Sequence, residues 1–75
     1  MLSQFVRLVF PPKLHDEPIV NQLMRRYSFT VNILRANVTH EQGWIDIQMF
    51  GKASEIEESL SWLQEQGIEV VLLKS

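Results

Sequence analysis

Apolar residues along this chain fall into short runs and amphipathic stretches that predict alternating strands and helices. Phe5 to Phe10 reads Phe-Val-Arg-Leu-Val-Phe, rich in β-branched and aromatic residues, and stops at Pro11-Pro12, where two backbone donors are lost. This predicts a first strand. Lys13 to Glu17 is a polar connection, and Pro18 suits the first turn of a helix, whose opening amides lack intrahelical partners. Asp16 and Glu17 complement the positive end of that helix's dipole. Ile19, Val20, Leu23, Met24 and Tyr27 recur at helical spacing, with Asn21, Gln22, Arg25 and Arg26 on the other side, so Pro18–Tyr27 is expected to be an amphipathic helix.

The same reading places strands at Phe29–Val38 and Trp44–Phe50, joined through Thr39–Gly43 as a hairpin. Ser54-Glu55-Ile56-Glu57 has the form of a capping box, which predicts a helix over Ser54–Gln66 with Ile56, Leu60 and Leu63 on its apolar stripe. Gly67 stands where a left-handed residue ends a helix, and Ile68–Leu73 follows as the last strand. The order βαββαβ predicts an α+β, ferredoxin-like sandwich: a four-stranded antiparallel sheet with two helices on one face. The 75 residues are expected to form a single domain, 1–75, with no repeat or low-complexity tract.

A sheet covered on one side should alternate apolar with polar residues, yet these strands do not alternate cleanly. Phe5 and Val9 oppose Val6, Leu8 and Phe10; Trp44 and Phe50 oppose Ile45, Ile47 and Met49; Val71 and Leu73 oppose Ile68, Val70 and Leu72. Both faces read as apolar. One meets the helices, and the other is expected to meet a second copy of the chain, making a homodimer.

Composition narrows the chemistry. There is no cysteine, which removes disulfides, thiolate nucleophiles and cysteine-ligated zinc or iron-sulfur sites, and no cofactor is expected. The formal charge of −2, with basic residues scattered, gives no footprint for nucleic acid. No run approaches the about 20 apolar residues of a membrane span, and the N-terminal stretch lacks the form of a signal peptide, so a cytoplasmic protein is expected. His15-Asp16-Glu17 could be offered as a metal cluster, but neighbours in a loop rarely converge on one ion and helix-start carboxylates usually cap, so no metal is expected. His40-Glu41 reads as a solvated hairpin tip. Glu55, Glu57, Glu58 and Glu65 fall on the polar side of the second helix, and Ser59 and Ser61 have no histidine or lysine nearby in sequence, so no catalytic constellation supports an enzyme.

Asn32 is the polar residue that interrupts its strand. It shares a face with Thr30, Leu34, Ala36 and Val38, opposite Val31 and Ile33, so it faces the partner if Val31 and Ile33 face the helices. Its amide then needs hydrogen-bond partners, which a ligand or the partner's backbone would supply.

The tripeptide Asn32-Ile33-Leu34, with Pro18, Arg26-Tyr27, Gly43, Gly51, Trp62-Leu63 and Gly67 in order, resembles the NIL domain, a small ligand-binding module, from Phe5 to Leu73. The resemblance implies a relative of the amino-acid-binding ACT fold, strands in spatial order 4-1-3-2 and pairing through the sheets. In methionine-importing transporters such a domain is appended to the ATPase and binds methionine to restrain uptake. No Gly-x-x-x-x-Gly-Lys-Ser/Thr loop is present, so this chain is not expected to hydrolyse ATP that way. Gly43-Trp44-Ile45-Asp46-Ile47 is more similar to members joined to ferredoxin segments, though the cluster-ligating cysteines are absent. A stand-alone, non-catalytic regulatory domain is expected, binding an amino acid such as methionine at the dimer interface. Asn32, Leu34, Pro18 and Met49 are the expected ligand positions. The alternative is an interaction module without a small ligand, docking on a redox or transport partner. Phe10 is followed by Pro11-Pro12-Lys13 where the family commonly has a glycine, which stiffens the loop expected to border the ligand.

Overall fold

The computed structural model describes residues 1–14, 17–39 and 42–74. Its elements are β1 (Leu2–Phe10), α1 (Ile19–Arg26), β2 (Thr30–Val38), β3 (Gly43–Gly51), α2 (Ala53–Glu65) and β4 (Glu69–Leu73), with a 3-10 turn at Pro12–Leu14. The four strands form one antiparallel sheet in the order β2-β3-β1-β4, the expected 4-1-3-2 arrangement read from the other edge. The βαββαβ, α+β fold is therefore as the apolar periodicities indicated.

Period-2 alternation divides the sheet. Val6, Leu8 and Phe10 of β1 join Ile47 and Met49 of β3 in one buried cluster with Ile19 and Leu23 of α1 and Ile56 and Leu63 of α2. Both helices thus cover the same face. β2 supplies no residue to that cluster, and from Asn32 to Val38 every one of its residues is exposed. Ser59, one helical turn from Ile56 and Leu63, is also fully buried, and its hydroxyl donates to the Ile56 carbonyl at 2.7 Å.

Helix ends depart from expectation in one place. α2 begins after Lys52, so Ser54 already lies inside the helix and no side chain caps its start. The capping box does not form because Gly51 ends β3 and Lys52 turns the chain directly into α2, which moves the cap two residues before Ser54. At the other end Gly67 has φ +93°, its amide donates to the Gln64 carbonyl at 3.0 Å and the Ile68 amide to Leu63 at 3.1 Å. That is a Schellman closure with Ile68 and Leu63 both in the core.

Two glycines are therefore demanded by geometry. A Cβ on Gly51 would stand 2.5 Å from Phe29 Cβ, and Gly67 holds a left-handed backbone. Gly51→Ala should destabilise by about 1–3 kcal/mol through overpacking, and Gly67→Ala by about 1–2 kcal/mol through its positive φ. Urea unfolding checks both: midpoints should fall with unchanged slope.

Candidate functional site

The uncovered face of the sheet is organised around a carboxylate. Asp46 of β3 pairs in register with Arg7 of β1 on one side and Arg35 of β2 on the other, so all three side chains stand on the same face. Arg7 Nε donates to Asp46 Oδ1 at 2.7 Å and its Nη2 to Oδ2 at 3.0 Å, while Arg35 Nε donates to Oδ2 at 2.8 Å. The two guanidiniums enclose the carboxylate, whose side chain is 1% exposed. Arg7 also lies over the Trp44 ring, 4.1 Å from its centroid. The hydrogen bond from Arg7 is the main cause holding the Asp46 pKa down to about 2, against the opposing pull of burial; Arg35 adds to the depression, and Asp46 in turn raises Arg7.

This cluster corrects the expectation that both faces of the sheet are apolar. Its apolar members, Phe5, Val9, Trp44, Phe50, Val71 and Leu73, surround an ionic centre, as the register places them beside Arg7 and Asp46. The face assignment along β2 also changes. Asn32 pairs with Gln48 and Ile33 with Ile47, but Arg35 pairs with Asp46, so Leu34 is an extra residue in a β-bulge. Beyond it the alternation flips. Arg35 and Asn37 share the open face with Asn32, whereas Ala36 and Val38 turn to the helix side.

A second feature lies at the opening of α1. A cavity of about 210 Å³ is framed by Pro18, Ile19, Val20 and Asn21, by Leu14 and Glu17 before them, and by the strand ends at Phe10, Val38 and Gly43–Ile45. Pro18 occupies the cap position and has no side-chain acceptor to offer, and the Ile19 amide bonds to the Glu17 carbonyl at 2.8 Å. The amides of Val20 and Asn21 have no acceptor among the described residues. The cavity thus has a mainly apolar lining, Glu17 as its one acidic lining residue and, among the described residues, two first-turn amides without an acceptor.

The four residues expected at the ligand do not converge within one chain. Pro18 borders the cavity. Asn32 is exposed on the open face six residues before Val38, the point where β2 reaches the cavity, and Leu34 is the bulged residue, 50% exposed. Met49 is fully buried under the helices with Ile47. What the sequence reading missed were Glu17, Val20 and Val38 at the cavity and the Arg7–Asp46–Arg35 cluster. Charges at alternate positions within apolar strands signalled the cluster, but pairing them required the register. His15, Asp16, His40 and Glu41 lie outside the described residues, so the metal and hairpin-tip readings attached to them have no structural counterpart here. Among the described residues no group of three or more His, Cys, Asp or Glu side chains gathers at one point, and no helix is long and apolar enough to cross a membrane.

The NIL domain model matches residues 4–71. The chain is 33% identical over 72 residues to a methionine import ATP-binding protein of Helicobacter pylori, covering 91% of this chain and 22% of that protein. It is 36% identical over 67 residues to an uncharacterized protein of Synechocystis, covering 87% of this chain and 69% of that one. The fold superposes on the C-terminal domain of an ABC transporter ATP-binding protein from Enterococcus faecalis with a TM-score of 0.80, at 22% identity over 96% of this chain and 84% of that one.

The cluster makes a pH prediction. An Asp held near 2 when folded and at 3.8 when unfolded adds stability above the unfolded value, and that stability is lost as pH falls through about 2. Between those values the unfolded chain binds more protons, so stability should rise with pH. Urea unfolding from pH 5 to pH 2 should therefore fall more steeply for wild type than for Asp46→Asn, which lacks the titrating group.

Proposed function

Because this chain belongs to the NIL domain family, we propose that it is a non-catalytic, cytoplasmic regulatory domain that binds a small amino acid and works as a homodimer through its open sheet face. The cavity at the opening of α1 is the observation that carries the ligand reading. Its volume of about 210 Å³ falls below the roughly 300–1,000 Å³ typical of pockets for drug-sized ligands and suits a smaller guest. A free amino acid is zwitterionic, and the cavity is dipolar in the matching sense. The carboxylate of the guest would accept from the Val20 and Asn21 amides at the positive end of α1, its ammonium would face Glu17, and its side chain would lie against Val20, Ile19 and Phe10. Methionine is the first guest to try, since the Helicobacter relatives are methionine import ATP-binding proteins. The chain spans about a fifth of those proteins' length, and importing methionine is an activity of those proteins.

In this reading Pro18 shapes the cavity mouth, Asn32 and Leu34 belong to the side presented to a partner, and Met49 supports the sheet from the core. Exposed apolar area supports the pairing: Phe50 is 45% and Val71 36% exposed on the open face. A second reading, docking on a transport component, is favoured by the placement of relatives within ATP-binding transporter subunits.

Calorimetric titration with methionine tests the ligand. Wild type should give saturable heat, Glu17→Gln should weaken binding about tenfold by loss of a charged contact, and Val38→Trp, at an exposed residue of the cavity wall, should abolish it. Asn32→Ala should bind as wild type. Absence of heat with methionine and with the other amino acids would leave the docking reading in its place.

A further inference from the structure

We infer that the second copy seats on the open face about a twofold axis running along the strands between β1 and β3, so that Arg35 of each copy meets the partner's Glu69. The inference rests on the homodimer reading above and adds to it a register and a charge pair.

The register places four charged residues on this face among the described ones: Arg7 and Arg35 against Asp46 and Glu69, two of each sign. The face is neutral as a whole, which suits a copy of itself better than a strongly acidic or basic partner. Its charges are nevertheless unevenly placed. Two guanidiniums share the single Asp46 carboxylate, which leaves one positive charge in surplus, and Arg35 on edge strand β2 is the more exposed of the two at 69%. Glu69 stands on the opposite edge strand, β4, exposed and with no ion-pair partner among the described residues.

Two ways of stacking the face on itself can be compared. With the axis across the strands and centred on the cluster, Asp46 would lie over the partner's Asp46 and Arg35 over the partner's Arg35. Like charges would meet on removal of water. With the axis along the strands, β3 lies over the partner's β1 and β2 over the partner's β4. Each cross-strand row then meets its own row reversed. Asp46 faces the partner's Arg7, Trp44 faces the partner's Val9, and Asn37 faces the partner's Glu69. Arg35 is one row from that glutamate, about 7 Å along the strand, with the sheets about 10 Å apart. Two long side chains reaching toward each other span that distance. The strands of the two copies run within the small angle usual for aligned sheet packing. The surplus cation of each copy is matched by the lone anion of the other, twice per dimer.

Sedimentation equilibrium on the intact chain tests this, with circular dichroism confirming that each variant is folded. Glu69→Arg lies outside the Asp46 cluster and should weaken dimerisation about tenfold or more. Arg35→Glu should do the same. An equimolar mixture of the two variants should form a heterodimer of wild-type affinity. In it the Arg35→Glu position of one copy meets the Glu69→Arg position of the other with signs exchanged, and the remaining contact pairs an unaltered Arg35 with an unaltered Glu69. The double variant Arg35→Glu/Glu69→Arg should dimerise by itself. Phe50→Glu separates the two levels. If Phe50→Glu disperses the dimer while Glu69→Arg does not, or if the mixture fails to pair, the register is wrong and the open-face reading stands. If wild type is monomeric at millimolar concentration, or if neither substitution affects its dimer, the open-face reading fails and this inference with it.

Discussion

Asp46 is the residue on which the uncovered half of this molecule depends. Two short helices cover one face of the sheet, and the other face must be held in shape by its own side chains. A carboxylate at the centre of β3, gripped by Arg7 from β1 and Arg35 from β2, ties three of the four strands together on that side. The arrangement is stable because the carboxylate accepts three charge-assisted bonds, which offset the burial that would otherwise protonate it. The cost is a shared anion with two cations. That leftover charge gives the face a polarity that an apolar sheet would lack.

Much of the architecture was legible in the order of residues, because strand and helix periods are local properties. β1 announced itself by a β-branched and aromatic run and β4 by an aliphatic one, α1 by the spacing of Ile19 and Leu23, and the end of α2 by Gly67, whose φ of +93° is what a glycine there is for. The bulge was not legible. It arises where Leu34 is left without an opposite residue in β3, and register is a property of two strands together. That single insertion exchanged Arg35 and Asn37 for Ala36 and Val38 on the open face. The capping box failed for a similar reason: Ser54 and Glu57 have the right spacing, but the hand-over from β3 at Gly51 starts the helix earlier.

The candidate ligand site was legible only in part. Pro18 was visible as a helix start, and it brings no capping side chain to first-turn amides that have no acceptor among the described residues. Asn32 drew attention as a polar interruption of a strand, but the cavity is assembled from the far ends of β1, β2 and β3, and no short motif spans those ends. Met49 shows the limit of residue type as a guide. An adaptable side chain suits a pocket wall or a core equally, and here β3 turns it into the core beside Ile47.

Each side of the molecule carries one tryptophan as a reporter, since Trp44 stands on the open face of the sheet beside Arg7 and Trp62 of α2 packs on the helix side beside Arg26. Nitrogen-15 NMR of the chain over a dilution series reads both indole N–H signals at once. Self-association through the open face predicts that the Trp44 signal shifts with concentration while the Trp62 signal stays fixed. Two signals that never move, or movement of Trp62 in place of Trp44, would contradict it.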